Sequence, residues 1–423
     1  MRNPQGFIEN LSSNFRVLGF ALALLSVLTI IAVQESEAQT FSVLHTFTGG
    51  RDGGAPTGVL ALDRGGHIYG TTSQGGYPNQ VCGTARCGTV FELSERNSYW
   101  TLITLYSFFG DSDGSTPYAG VTIGPNGTLY GTTFSGGGDG GGTVFNLRPP
   151  VHTSANTRGG WIEAPIYRFR GPSDGAEPGY GSLIFDPMGN IYGTTFQGGL
   201  ACGDGECGAV FKLAPSDNGS WTETAYDFPG RSYGGNPLGG VVMDSSGNLY
   251  GTTTNINYDP VAYELTLSAS GWIETTLYTF TFNDNYPGGE GVILSAGNLF
   301  GANLSAAYEL TPAGGQWDFS ILYNFTGDSG SWGTLASDSD GNLYGTTCSG
   351  GTLGQGSVFK LSPSQNGWIE SDLHDFTGTT DGGCPIGGVT LDETGNIYGT
   401  AAWGASGYGV VWEITPQLQV GIL

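Results

Sequence analysis

Positively charged residues are scarce in this sequence. Its 423 residues include 13 Lys or Arg against 37 Asp or Glu, which gives a formal net charge of −24 and a pI of about 4.2. A surface of this sign repels nucleic-acid phosphates and anionic lipid headgroups, so neither nucleic acid nor a lipid surface is an expected partner. The same charge tolerates cations, basic proteins and neutral glycans, and it also helps to keep an exported protein soluble.

Histidine is nearly absent, which limits the catalytic chemistry that the chain can support. The four histidines are His45, His67, His152 and His374. His45 and His374 replace the Tyr of a recurring Leu-Tyr-x-Phe string, His67 replaces the Asn of a recurring turn, and His152 stands in a loop. We therefore expect no histidine-based catalytic or metal site. The sequence also lacks a nucleophile elbow, a phosphate-binding loop and a His-Glu-x-x-His motif.

No cofactor is expected, although calcium stays open as an alternative. Asp338-Ser-Asp-Gly-Asn342 resembles the start of a calcium loop, but no Glu stands at the twelfth position. The same segment aligns with a hairpin turn in the other repeats, and this favours turn chemistry. Acidic Gly-rich loops such as Asp111-Ser-Asp-Gly114 could also hold a cation weakly.

One long apolar run stands near the N-terminus, and no second one follows it. Arg2 and Arg16 precede the run at 17–33, and Ser36-Glu-Ala38 forms a small-x-small cleavage signal before Gln39. This pattern predicts a signal peptide over 1–38. An uncleaved membrane anchor is the alternative, because the run approaches the length of a membrane span. We expect a secreted or cell-surface monomer, with the periplasm as the other location.

Glycine is abundant, with 76 residues, and it marks a tandem repeat after residue 40. An [Ile/Leu]-Tyr-Gly-Thr string recurs at intervals of 44 to 62 residues; its aromatic residues are Tyr69, Tyr130, Tyr192, Tyr250, Phe300, Tyr344 and Tyr398. A solenoid would keep a steadier period, whereas four-stranded blades with variable loops tolerate this scatter. The recurrence therefore favours a β-propeller.

Each repeat contains four segments that alternate in the manner of half-buried strands. They read Gly-Val-x-x-x-Asp, then Asn-[Ile/Leu]-Tyr-Gly-Thr after an Asp-x-x-Gly turn, then Gly-x-Val-Phe-x-Leu, then Leu-Tyr-x-Phe. The first repeat opens with a fourth-strand segment, Leu44–Phe47, and the last stops after the third-strand segment Val410–Ile414. The fold class predicted is all-β, a seven-bladed β-propeller of four-stranded antiparallel blades, closed by the N-terminal strand joining the last blade. The propeller is expected over 39–416, followed by a short tail over 417–423.

This repeat resembles the GloVer-type (choice-of-anchor) tandem repeat of bacterial exported proteins over about residues 41 to 415. The resemblance implies a bacterial secreted or cell-surface protein, often with a C-terminal sorting anchor. This chain departs from that pattern, because it reaches Leu423 without an anchor-like segment. The resemblance implies no activity and no catalytic residues.

Six cysteines lie in the repeat region: Cys82, Cys87, Cys202, Cys207, Cys348 and Cys384. Two pairs share a Cys-x4-Cys spacing in equivalent loops of different blades, which is wider than the spacing of a zinc ribbon. An even number of cysteines in an oxidising compartment favours disulfides over zinc. Cys348 and Cys384 are expected in loops on one face of neighbouring blades, where a bridge between them is geometrically reasonable.

A candidate binding site is suggested by positions at which the repeat varies. The residues just before the innermost strand are Thr57, Ala119, Tyr180, Gly239, Glu290, Trp332 and Gly387. This position should lie at the mouth of the central channel. We hypothesise that its three large members, Tyr180, Glu290 and Trp332, form one lip of a binding funnel, with ordinary drift at an exposed position as the alternative.

Three functions remain open from the sequence alone. The first is a non-enzymatic extracellular binding or scaffold propeller that recognises a glycan or an extracellular protein through its loop face. The second is a secreted polysaccharide hydrolase or lyase, which would need a pair of carboxylates over the funnel, such as Glu290 with Asp174, Glu177 or Asp284. The third is a structural surface component. Whether the chain is an enzyme stays undecided, and the first function is preferred.

Overall fold

The computed structural model describes residues 39–149, 160–201, 206–230, 234–254, 259–281, 291–325, 330, 333–404 and 406–416. One compact unit spans Phe41–Thr415. A second unit combines Met1–Thr40 with Pro416–Leu423, and of these only residues 39, 40 and 416 are described. The predicted signal peptide therefore lies outside the described residues. No helix within the described ranges is long and apolar enough to cross a membrane.

The strands of the first four blades follow one another along the chain. The N-terminal strand is β1 (Gln39–Thr46). Blade one contains β2 (Ala61–Leu62), β3 (Ile68–Thr72), β4 (Thr89–Arg96) and β5 (Tyr99–Ser107). Blade two contains β6 (Thr122–Ile123), β7 (Leu129–Thr133), β8 (Thr143–Arg148) and β9 (Ile162–Arg168), with a 3-10 turn at Pro125–Gly127. Blade three contains β10 (Ala176–Pro178), β11 (Ile184–Phe185), β12 (Ile191–Gln197), β13 (Ala209–Pro215) and β14 (Trp221–Asp227). Blade four contains β15 (Val242–Met243), β16 (Leu249–Thr252), β17 (Val261–Ser268) and β18 (Gly271–Thr279).

The last three blades repeat the same order. Blade five contains β19 (Val292–Ser295), β20 (Asn298–Ala302), β21 (Ala306–Ala313) and β22 (Gln316–Asn324). Blade six contains β23 (Ala336–Ser337), β24 (Leu343–Thr347), β25 (Ser357–Ser364) and β26 (Gly367–Asp375). Blade seven contains β27 (Thr390–Leu391), β28 (Ile397–Ala401) and β29 (Val410–Pro416).

The sheet topology confirms the predicted seven-bladed β-propeller. Blades one, two, four, five and six are antiparallel meanders in which each strand pairs with the next one in sequence. In blade three the innermost position is divided between β10 and β11, which both pair with β12. Blade seven has the order β1-β29-β28-β27, so the N-terminal strand completes the last blade as predicted. This closure leaves no sheet of the ring one strand short.

An aromatic pair fills each of the seven seams between blades. In each pair, the last aromatic residue of the Leu-Tyr-x-Phe segment contacts the aromatic residue of the next blade's third strand, with ring centroids 5.0 to 5.9 Å apart. The pairs are Phe47–Phe91, Phe108–Phe145, Phe169–Phe211, Phe228–Tyr263, Phe280–Tyr308, Phe325–Phe359 and Phe376–Trp412. All of these rings except Phe325 are almost fully buried. Such pairs stabilise the seams through area burial and ring geometry together.

The glycine of the Tyr-Gly-Thr string makes room for these rings. A Cβ atom placed on Gly70 would lie 2.5 Å from Cζ of Phe91 and 2.8 Å from a methyl carbon of Leu60. Within one blade the third-strand ring therefore rests on the glycine of the second strand. This packing explains why Gly and Phe recur together in the repeat.

Aspartate-led turns join the first and second strands. The Asp338 carboxylate accepts hydrogen bonds from the backbone N–H groups of Asp340 and Asn342, from Asn342 Nδ2 and from the Tyr344 hydroxyl, at 2.7 to 2.9 Å. Burial raises the pKa of Asp338, but these hydrogen bonds outweigh it, and the net pKa lies below its ordinary value. Equivalent bonds are made in four other blades by Asp63, Asp186, Asp244 and Asp392. The carboxylate of Asp338 is thus engaged within its own turn.

Candidate functional site

Two sets of loops share one face of the propeller, which we call the loop face. One set joins the second and third strands of each blade, and the other joins the fourth strand to the next blade's first strand. Backbone bridges tie the two sets together at Gly54↔Gln74, Ser115↔Ser135 and Gly383↔Trp403. In blade three the same link is made by Ala176↔Gln197. The two sets therefore form one continuous surface around the channel mouth.

A residue with positive φ, followed by proline, shapes the second set of loops at five seams. These corner residues have φ between 48° and 57°; they are Ala55, Thr116, Glu177, Asn236 and Cys384. Each donates its backbone N–H to a carbonyl of the preceding blade at 2.6 to 2.9 Å. The following proline packs against that blade's Gly before the third strand, as Pro117 does against Gly88. A non-glycine residue in this region is strained, and these contacts between blades hold it in place.

Disulfides reinforce the loop face. Cys82–Cys87 closes the second-to-third-strand loop of blade one. Cys348–Cys384 joins blade six to the corner of blade seven, as the sequence predicted. Cys207 is also disulfide-bonded, whereas Cys202 lies outside the described residues. At the equivalent corner of blade four, the side-chain amide of Asn236 donates a hydrogen bond to the Phe196 carbonyl at 2.9 Å. The Cys348–Cys384 bridge thus stands where blade four has a hydrogen bond.

Aspartates in the fourth-to-first-strand loops are occupied by structural hydrogen bonds. Asp113 accepts from the Tyr106 hydroxyl and from the Phe109 backbone N–H, both at 2.9 Å. Asp174 accepts in the same way from Tyr167 and from the Arg170 backbone. His45 and His374 take the place of the tyrosine and contact Asp52 and Asp381 at 3.3 and 3.2 Å. The histidines thus have the structural positions that the sequence predicted.

Two half-buried glutamates lie beside these aspartates on the outer strands. Burial, reinforced by the nearby Asp113 carboxylate, raises the pKa of Glu163 to about 8. Burial, together with Asp174 and Asp227, raises the pKa of Glu223 to about 7. One carboxyl oxygen of each glutamate is buried without a hydrogen-bond partner among the described residues. Such a carboxyl group is favoured in its protonated form at neutral pH.

The channel mouth contains a small cavity with mostly apolar walls. Its volume is about 200 Å³. The lining includes Val59, Ile184, Val241, Val292 and Val389, with Tyr180 at the rim. The described lining residues include no Asp or Glu. A cavity of this size admits one end of a ligand rather than a whole one, since ligand pockets usually measure about 300–1,000 Å³.

Of the three residues predicted to form a funnel lip, only Tyr180 is described. Its ring stacks on Tyr118, with centroids 4.8 Å apart and planes at 25°. Tyr118 in turn contacts the edge of Phe134 at 5.3 Å. Glu290, Trp332 and Asp284 lie outside the described residues, so the joint lip and the carboxylate pairs that include Glu290 stay predictions. Tyr118 was not predicted as a site residue, although its place directly after a corner proline was a visible signal.

Exposed aromatic side chains concentrate on the loop face. Among the described residues, six aromatic side chains are at least 37% exposed: Tyr77, Tyr99, Phe109, Tyr180, Trp403 and Tyr408. All but Tyr99 belong to the two loop sets, and Tyr99 begins β5 at the opposite face. The described residues contain no group of three or more His, Cys, Asp or Glu that could hold a metal ion. The five exposed aromatic side chains give this face several surfaces for contact with a ligand.

One solved structure that matches with a TM-score above 0.5 is similar in fold. The extracellular domain of a protein described as a candidate one-component system of B. thetaiotaomicron matches with a TM-score of 0.54 and 12% identity, covering 88% of this chain and 39% of that chain. This chain therefore spans well under half of that protein. A Thermus thermophilus protein described as a candidate glucose dehydrogenase matches at a TM-score of 0.45 and 14% identity, covering 89% and 100% of the two chains. A Bacteroides fragilis protein described as a candidate 6-phosphogluconolactonase matches at 0.49 and 14%, covering 79% and 88%. At such identities the likeness shows the fold alone.

Sequence comparison gives the family. No curated protein matches the chain. The model of the Gloeobacter/Verrucomicrobia repeat matches three overlapping stretches, 29–159, 83–306 and 302–421. Together they cover all seven blades and the tandem repeat read from the sequence. The chain belongs to the Gloeobacter/Verrucomicrobia repeat family.

Proposed function

We propose that this protein is an exported, non-catalytic binding propeller that recognises an extracellular ligand through its loop face. The observation that carries the proposal is the placement of five of the six exposed aromatic residues on that face. Aromatic side chains supply large contact areas with little loss of conformational entropy on binding. Exposed apolar groups gathered on one side of a soluble protein mark an interaction surface.

Rigid loops support the same proposal. The strained corners, their hydrogen bonds to the preceding blade and the Cys348–Cys384 bridge hold the loop face in one arrangement. A surface that is ordered before binding loses less conformational entropy when a ligand arrives.

Export is part of the proposal. Disulfides persist in oxidising compartments, and this protein has them at Cys82–Cys87 and Cys348–Cys384. The apolar segment at 17–33, with Arg16 before it and Ser36-Glu-Ala38 after it, has the order of a secretory signal. The acidic composition suits a protein that must stay soluble outside the cell.

The test blocks one face at a time. A cysteine placed at Leu353, an exposed loop-face residue, would be coupled to a large polyethylene glycol, and Met188 on the opposite face would serve as the matched control. Binding would be measured on a glycan array and on immobilised extracellular proteins, beside a screen for polysaccharide cleavage. We expect the Leu353 conjugate to lose binding and the Met188 conjugate to keep it.

Two results would contradict the proposal. Equal binding by both conjugates would mean that the loop face is not used. Polysaccharide cleavage that disappears in Glu290→Gln would show the enzyme instead of the binding module.

A further inference from the structure

Within the described part of the loop face, five exposed aromatic residues lie on neighbouring blades. Trp403 and Tyr408 belong to blade seven, Tyr77 to blade one, Phe109 to the connection into blade two, and Tyr180 to blade three. These four blades are consecutive, because β1 joins blade seven and leads directly into blade one. We call these five residues the aromatic arc. Among the described residues of blades four, five and six, no aromatic side chain is exposed to this degree.

Polar side chains alternate with the aromatic ones along the same arc. In blade seven, Trp403 forms a backbone bridge with Gly383. The residues at the equivalent position in blades one, two and three are Gln74, Ser135 and Gln197. Gln74 is exposed and Ser135 and Gln197 are partly exposed. Amide and hydroxyl groups at these positions can both donate and accept hydrogen bonds.

Four charged groups of the arc have partners within the protein. The Arg51 guanidinium lies 4.8 Å from the centroid of the Tyr77 ring. Arg86 donates to the carbonyls of Gly49 and Gly76. Asp52 and Asp113 accept hydrogen bonds from their own loops. A charged ligand would compete with these contacts, whereas a neutral one leaves them in place.

We infer that the aromatic arc binds a neutral polysaccharide, laid across blades seven, one, two and three. A sugar ring has an apolar face of C–H groups that stacks on an aromatic ring, and hydroxyl groups at its edge that bond to amides and hydroxyls. Several aromatic rings in succession fit a polymer of similar units better than a single compact molecule. This inference rests on the proposed function and names its ligand class and its path.

A ligand on the aromatic arc would lie across the outer loops, whereas a ligand in a funnel would lie at the channel mouth. The cavity at the mouth has mostly aliphatic walls and a volume of about 200 Å³. Burying sugar hydroxyl groups there without partners would be unfavourable. Tyr180, stacked on Tyr118, is the one arc residue that also lines this cavity. It therefore forms the end of the path rather than its centre.

The experiment measures affinity against chain length. The full exported chain would be titrated with a set of uncharged polysaccharides (β-1,3- and β-1,4-glucans, xylan, mannan and dextran) and with oligosaccharides of the one that binds. Trp403→Ala and Tyr180→Ala remove the two ends of the arc. Tyr99→Ala is the matched control, because Tyr99 is an exposed aromatic residue on the opposite face. Circular dichroism would confirm that each variant is folded.

We expect affinity to rise with chain length, and each end variant to weaken the long polymer at least fivefold while Tyr99→Ala leaves it unchanged. Binding of none of the neutral polysaccharides would overturn the inference. So would a loss confined to Tyr180→Ala, since that would place the ligand at the channel mouth. If the loop face instead bound only a protein, the proposed function would stand and this inference would fail.

Discussion

On the face opposite the loop face, which we call the turn face, five blades use the same aspartate to organise the same short hairpin. Asp186, for example, accepts from Asn190 and from the Tyr192 hydroxyl within seven residues of chain. The loop face is held by contacts between blades instead, such as the Thr116 N–H bond to the Cys87 carbonyl. Local hydrogen bonds thus define the turn face, and neighbouring blades define the loop face.

The difference explains where the repeat can vary. In an aspartate-led turn, each hydrogen bond to the carboxylate depends on a fixed spacing between residues. Substitutions in such a turn are therefore poorly tolerated. A loop that is anchored at its corner can carry an insertion beyond the anchor without disturbing the blade. Tyr77 and the Cys82–Cys87 bridge lie in the long second-to-third-strand loop of blade one, which is joined to the anchored loop by the Gly54↔Gln74 bridge. A binding surface is therefore expected to arise on the loop face.

The largest expected effect concerns the covalent contact on the loop face. Replacing Cys348 and Cys384 with Ser should destabilise the protein by about 3–4 kcal/mol, since the bridge closes a sequence separation of 36 residues. Replacing Cys82 and Cys87, which are 5 residues apart, should cost about 2 kcal/mol. Denaturant unfolding of both variants shows which disulfide contributes more to the free energy of unfolding. A larger loss from the short loop would contradict this prediction.

A smaller loss is expected from the turn face. Asp338→Ala removes four hydrogen bonds to a charged acceptor. We expect the free energy of unfolding to fall by about 2–3 kcal/mol, with ligand binding unchanged. Asp340→Ala is the matched control in the same turn, because the Asp340 side chain is exposed. Thermal unfolding of the two variants measures the difference. Equal stability of both would show that the aspartate contacts do not hold this face together.

The outer strands should make stability depend on pH in a defined direction. Burial and Asp113 raise the pKa of Glu163 to about 8, while Tyr106 and Arg168 also face this carboxyl group. Because the folded pKa lies above the ordinary value of 4.5, this contribution is fully present below that value and is lost progressively as the pH rises from there to about 8. Glu223, with a pKa of about 7, should act in the same direction.

The melting temperature measured between pH 5 and pH 9 tests this dependence. Glu163→Gln should decrease the loss of stability that accompanies a rise in pH toward 8, whereas Glu393→Gln, an exposed turn-face control, should not. An unchanged slope in Glu163→Gln would remove this carboxyl group as its source.

The smallest effect is expected at the corners. Ala55→Gly relieves the backbone strain at a φ of 50°. We expect the free energy of unfolding to rise by between zero and about 1 kcal/mol. Ala209→Gly, in β13, should destabilise the protein because glycine weakens a strand. Chemical denaturation of both variants gives the two signs. A clear loss in Ala55→Gly would mean that the corner is unstrained.

Most of the fold could be predicted from the sequence because its signals are local. The Asp-x-x-Gly turns, the alternating strands and the unpaired end segments at Leu44–Phe47 and Val410–Ile414 were enough to count seven blades and close the ring. The aromatic seams were visible only as recurring Phe residues, since each pair joins different repeats. The Cys348–Cys384 pair could be proposed because the repeat placed both loops on one face.

The candidate site was less predictable for a physical reason. Tyr180 was chosen because it departs from a small-residue position, whereas its partner Tyr118, in the preceding connection, was marked only by its place after a corner proline. Exposure of Trp403 and Tyr77 depends on how the loops of different blades cover one another. The spacing of residues along the chain does not indicate which loops cover which side chains.

By itself, the sequence determined the repeat, the four strands of each blade, the number of blades and the closing strand, because turns and alternation are encoded within a few residues. Tertiary structure decided the aromatic seams, the left-handed corners and the grouping of exposed rings on blades seven, one, two and three. Those features depend on which blade stands next to which, and only the closed ring brings Trp403 near the beginning of the propeller.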